Sequence, residues 1–152
     1  MPRIRAADGR TRGRADRVTV AGRHPPLTRA AIVRAAELVL RGEQRHAMLS
    51  VSFLGRDRMR ALNTRWKGTA RPTDVLAFPL ALPDGSLAGD IYICRWVAAR
   101  EARARRIPVG QELLRLVVHG VLHVLGHEHP EGADRADSVM WRRQERYVKA
   151  LE

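Results

Sequence analysis

Cysteine occurs once, as Cys94, so the chain cannot close a disulfide on itself and the stapled scaffolds of small secreted proteins are excluded. No apolar run approaches the roughly 18 uncharged residues that a membrane-spanning helix requires. No cleavable apolar segment follows the first residues, which carry too many acids and too little serine for an organelle transit peptide. Lysine is scarce as well, since 26 of the 28 basic residues are arginine, against 16 acidic ones. These absences lead to the expectation of a cytoplasmic protein with no membrane partner.

What is present suits one domain with a tail: 152 residues, 45% of them hydrophobic, bury a two-layer core without help from disulfides. The net charge of +12 and a pI near 11.5 imply a surface that attracts polyanions such as nucleic acid. Residues 1–17 hold six arginines against Asp8 and Asp16, so +8 of that charge lies beyond them. With little apolar content and repeated Arg and Gly, this opening is expected to be a disordered basic arm or an extended start of the reading frame, leaving 18–152 as the single domain.

RVTVAG alternates as a first strand does, and Thr28 is placed to cap a helix ending at Gly42. In that helix Ala31, Ile32, Ala35, Leu38 and Val39 recur at helical spacing. A strand follows, with Met48, Val51 and Phe53, and then a short helix from Asp57, the expected cap, to Trp66. TDVLAFPL and GDIYIC are two further strands joined by a PDGS turn. RWVAAREARARR is a basic amphipathic helix, QELLRLVVHGVLHVL is apolar enough to be the central buried helix, and a last helix is expected from about Asp134 to Leu151. Together they predict an α+β layered domain, with a small, roughly four-stranded mixed sheet packed against helices. Cys94, at a strand end, and Met140, in the last helix, are expected to be packed residues.

Residues 119–129 read HGVLHVLGHEH and contain four of the six histidines. On a helix, residues i and i+4 stack one turn apart, so His119 and His123 present their rings to a single ion. Gly126 permits a left-handed turn that brings His129 back to the same point. Three imidazoles with a fourth position for water form the ligand set of catalytic zinc. His127 is out of phase and is expected to be an outer or exposed residue. The same H-x3-H-x5-H frame serves metzincin proteases, whose second position is a glutamate acting as general base; here it is Gly120, which has no side chain to take a proton.

HGVLHVLGHEH resembles the HGxLHLxGYDH signature of the YbeY-type endoribonucleases, or rRNA maturation factors. LNTRWKGTARPTDVLAFP is similar to their L-N-x-x-Y-R-G-x-x-x-P-T-D-V-L-S-F-P block, GDIYIC to a G-D-I-x-I strand, and ELLRLVVHG to E-L-x-x-L-x-V-H-G. The agreement runs from about Leu62 to His129. The resemblance implies a bacterial or organelle-derived protein binding one zinc ion through His119, His123 and His129, with roles in maturation and quality control of ribosomal RNA. Its expected partners are a ribosomal RNA precursor, in single-stranded or looped regions, and the small ribosomal subunit.

Two departures stand out. Lys67 replaces the family's arginine, keeping the charge but losing the bidentate fork that suits phosphate oxygens, so it contacts phosphate or is a solvated loop charge. HEH replaces YDH, and Glu128 either orients a ligand histidine or moves a proton at the metal. Thr73 and Asp74 are placed near the cleft by the same match. Arg100, Arg103, Arg105 and Arg106 form a candidate phosphate track. The rival functions are an assembly factor of the small ribosomal subunit with structural zinc and, disfavoured by Gly120, a metalloprotease.

Overall fold

The computed structural model of the chain describes residues 17–129, 136 and 138–152, so apart from Arg17 the expected N-terminal arm lies outside the described residues. Strand β1 (Val18–Gly22) is followed by α1 (Arg29–Gly42), β2 (Met48–Leu54), α2 (Arg56–Lys67), β3 (Val75–Ala81), β4 (Leu87–Cys94), α3 (Arg95–Arg105), α4 (Val109–Val124) and α5 (Val139–Ala150). The sheet order is β1-β2-β4-β3, with β1, β2 and β4 parallel and β3 antiparallel to β4 at one edge. This is the expected α+β domain with a mixed four-stranded sheet. No helix among the described residues is long and apolar enough to cross a membrane.

Local chemistry explains most boundaries, and the differences have simple causes. Thr28 caps α1 as expected, its Oγ1 accepting from Ala31 N at 3.1 Å. The buried stripe of α1 is Ile32, Ala35, Ala36, Val39 and Leu40, so Ala36 and Leu40 take the places expected of Ala31 and Leu38. In β2, Leu49, Val51 and Phe53 face the core while Met48 is 46% exposed, because a residue one step out of phase points to the opposite face. The cap of α2 is Gly55, and Asp57 sits inside the first turn, where its charge suits the positive end of the helix. For α5, Ser138 is the cap, accepting from Trp141 N at 3.1 Å, so the described helix begins later than expected. Cys94 and Met140 are buried, as expected.

The main core lies between the sheet and a layer in which α4 is central, flanked by α1, α3 and α5. Leu113, Leu116, Val117, Val121 and Leu122 of α4 are almost fully buried, each stabilising the fold by about 1.5–3 kcal/mol. Gly120 faces the sheet, where an added Cβ would stand 2.5 Å from Ile91 Cγ2. Conversely, a Cβ on Gly89 of β4 would stand 2.5 Å from Val124 Cγ1. Helix and strand therefore interlock, a glycine of each receiving an aliphatic side chain of the other. A glutamate at 120 has no room and would carry its carboxylate into the core, away from the histidines. The protease base is thus missing for a packing reason.

Below the opposite face of the sheet α2 covers a smaller cluster of Leu54, Met59, Leu76 and Cys94. Since β3 is the edge strand, its Val75 and Ala77 face α4 while Leu76 and Phe78 face α2, and its rim borders both sides.

Candidate metal centre

Helix α4 carries His119 and His123 one turn apart, with ring centroids 4.5 Å from each other. It ends at Val124 with Leu125 as its C-cap, and Gly126 follows at φ +97°, a left-handed conformation that costs glycine little. Gly126 N–H donates to His123 O and His127 N–H to Leu122 O, both at 3.0 Å, closing the helix in a Schellman turn. That reversal returns His129 to within 5.1 Å, ring to ring, of both helical histidines. One ligand atom from each of the three lies within 4.8 Å of the other two. The donor set fits one ion of zinc type, which takes neutral imidazole nitrogen at about 2.0–2.1 Å.

Sequence reasoning overlooked what holds His119. Its Nδ1 is 2.6 Å from Gln144 Oε1, and an amide oxygen only accepts, so Nδ1 carries the hydrogen and Nε2 the lone pair. The amide orientation is itself determined, because Gln144 Nε2 donates to the carboxylate Glu145 Oε1 at 3.2 Å. Glu145 is in turn gripped by Arg115, at 2.7 and 3.2 Å, and Arg115 also donates to Glu112 at 3.0 Å. Both Gln144 and Glu112 are buried. The signal was present: Met140, Gln144 and Val148 form the buried stripe of α5, and a glutamine there needs a polar partner. Replacing Gln144 with alanine should weaken metal binding by the trio by about 10–100-fold, as loss of an outer partner of a ligand histidine does. Competition against a chelating dye checks this, and an unchanged affinity would show that the contact only packs.

An open cleft of about 520 Å³ lies in front of the histidines. Lys67, Thr73, Asp74 and Glu128 share its walls with Val75, Leu76 and Ala77 of β3. Lys67 is the last residue of α2, ahead of the left-handed Gly68, and the following loop is pinned by Asn63, whose Nδ2 donates to Arg71 O at 2.8 Å. The buried asparagine of the L-N block thus sets where the lysine stands. Asp74 is turned toward its own backbone, accepting from Val75 N at 2.8 Å. Glu128 is exposed on the wall.

His127 belongs elsewhere: its Nε2 meets Glu43 Oε1 at 2.6 Å, outside the histidine trio. The four arginines of the candidate track part company. Arg100 lies over the Trp96 ring, and Arg103 is exposed on the same helix face. Arg105 reaches across to Glu112 at 3.6 Å beside a smaller pocket that shares Asp74 and His119 with the cleft. Arg106, at φ +58°, caps α3. None of the four lines the histidine cleft.

The profile of one protein family, described as Endoribonuclease YbeY, matches residues 24–152. The chain is 49% identical over 90 residues to an Endoribonuclease YbeY of Anaeromyxobacter sp. (strain Fw109-5), a match covering 58% of this chain and 47% of that protein. It therefore spans about half the length of that relative. To the Endoribonuclease YbeY of Thermotoga maritima it is 34% identical over 115 residues, covering 76% and 75%. A solution structure of a Thermotoga maritima protein superposes with a TM-score of 0.62 at 28% identity, covering 88% of each chain.

Proposed function

The chain belongs to the endoribonuclease YbeY family, and from that premise we propose that its cleft is the active site of a zinc-dependent endonuclease acting in ribosomal RNA maturation and quality control. The observation that carries this reading is the trio His119, His123 and His129, convergent at the base of a cleft open to a large substrate. The surface charge of +12 suits a polyanion. Precursor ribosomal RNA, reached on or near the small ribosomal subunit, is the substrate in this proposal.

His119, His123 and His129 would hold the zinc ion, which would supply Lewis-acid chemistry that lowers the pKa of water to about 7. The chain's own residues do the rest. Gln144 fixes the His119 tautomer, so that the ligand set is preorganised before substrate arrives. Lys67, on the cleft wall, offsets charge growing on the phosphoryl oxygens as a point charge. Glu128, on the same wall, is the carboxylate available to move a proton between attacking and leaving oxygens. With no carboxylate at position 120, hydrolysis of peptides lacks its base.

The test uses purified protein and a ribosomal RNA precursor fragment. Chelation should abolish cleavage, zinc should restore it, and circular dichroism should be unchanged throughout, since the aliphatic core around α4 is continuous without an ion. Cleavage indifferent to chelation would remove the metal from the mechanism. A folded, zinc-loaded protein that never cuts RNA would favour the assembly-factor reading.

A further inference from the structure

The cleft does not explain why two tryptophans stand at the surface under arginines. Trp96, the second residue of α3, is 39% exposed, and the guanidinium carbons of Arg56 and Arg100 lie 5.4 and 4.8 Å from its ring centroid. Both distances are within cation–π reach, so two guanidinium groups meet the indole at the boundary with water. Arg100 and Arg103 follow Trp96 at i+4 and i+7, on the helix face opposite the buried Ala98 and Ala102. This face is therefore the solvent side of α3.

On α2, Arg56, Arg60 and Lys67 fall within about 40° of one another around the helix axis, at 100° per residue. They form one flank, about 16 Å long at 1.5 Å per residue. One end is Arg56, at the Trp96 ring, and the other is Lys67, on the wall of the histidine cleft. Beside Lys67 stands Trp66, 60% exposed, with Arg65 at 5.7 Å and Phe78 at 5.5 Å from its ring. Charge on these elements is one-sided: α2 carries five cations and one acid, α3 four and one. That single acid of α2, Asp57, is an exposed partner of Arg56 at 3.1 Å and is screened by water.

We propose that this strip is a binding track for single-stranded RNA, with Trp96 as a base-stacking platform at its outer end and the histidine cleft at its inner end. The proposal rests on the endoribonuclease reading for the identity of the polyanion. Guanidinium forks along the strip grip phosphates, and a base stacks on the indole in the place that the Arg100 guanidinium gives up as it turns from the ring to a phosphate. A duplex keeps its bases stacked against each other and presents none to Trp96, so the track selects unpaired segments. Having few groups aimed at base edges, it confers little sequence preference.

The experiment is equilibrium binding by fluorescence anisotropy, using the zinc-loaded full chain, a short unstructured RNA and a duplex of the same sequence, with RNA integrity verified by gel. Trp96→Ala should weaken single-strand binding about 10-fold while leaving duplex binding unchanged, and Trp96→Phe should recover most of the loss. Arg56→Gln and Arg100→Gln should each lower the slope of log affinity against log salt by about one. Wild-type affinity in a folded Trp96→Ala protein overturns the proposal, as does equal loss on duplex. Equal loss in the alanine and phenylalanine variants overturns stacking too. Binding without any cleavage would sink the nuclease reading and leave the track standing, whereas cleavage with unchanged KM in Trp96→Ala would do the reverse.

Discussion

With the cleft acting as the proposed nuclease site, His123→Ala should lower RNA cleavage by about 10³-fold or more and leave the protein folded. The size follows from what a bound Lewis acid contributes, several kcal/mol of transition-state stabilisation, at 1.36 kcal/mol per factor of ten. The fold survives because His123 is only half-buried and faces the cleft, unlike the aliphatic residues of α4 that face the sheet. Zinc content by mass spectrometry, single-turnover cleavage and circular dichroism give the three readouts. His127→Ala is the internal control, since His127 contacts Glu43 outside the trio and its loss should reduce stability while zinc stays bound. Full activity in a zinc-free His123→Ala protein would disprove the assignment.

Glu43→Ala destabilises the fold by about 3 kcal/mol, the scale for removing one partner of a buried ionic network. Glu43 follows α1, is 5% exposed, and accepts from His127 at 2.6 Å, from Arg143 at 2.9 and 3.0 Å and from the Tyr147 hydroxyl. One carboxylate thereby ties α1 to α5 and to the turn that aims His129. Burial opposes its ionisation, but hydrogen bonds from Tyr147, Arg143 and His127 outweigh burial and hold it below its ordinary 4.5. Burial and the Glu43 contact push Tyr147 up to about 12 from its ordinary 10.

The signs follow by linkage. A depressed carboxylate adds stability that is complete above about pH 4.5 and is lost as pH falls through the folded value. A raised phenol adds stability that is complete below about pH 10 and is lost as pH rises toward 12. Urea midpoints across pH should therefore form a plateau with both limbs falling, and the acid limb should be shallower in Glu43→Ala. Glu145, held low by Arg115 and Gln144 against the opposing effect of burial, steepens the acid limb in both proteins. Parallel curves for the two proteins would show that Glu43 is not a principal acid-sensitive group.

The histidine trio was legible because its information is local: a 3.6-residue repeat places His119 beside His123, and a glycine at 126 permits the turn to His129. Strand and helix order was legible for the same reason, from periodicities of two and 3.6. Errors appeared where a single step of phase decides which way a side chain points, as along α1. Asp57 looked like a cap because its residue type suits one, but the cap stands two residues earlier, at Gly55.

The sequence by itself thus determined the class of fold and the clustering of the three histidines. Only the tertiary structure decided what lies behind them: Gln144 of α5 on His119, Ile91 of β4 against Gly120, Asn63 fixing the approach to Lys67, and Arg56 meeting Trp96 across two helices. The first and last of these contacts join residues 25 and 40 positions apart in the chain. Neither a helical nor a strand period reaches that far, so such contacts arise only when the elements pack.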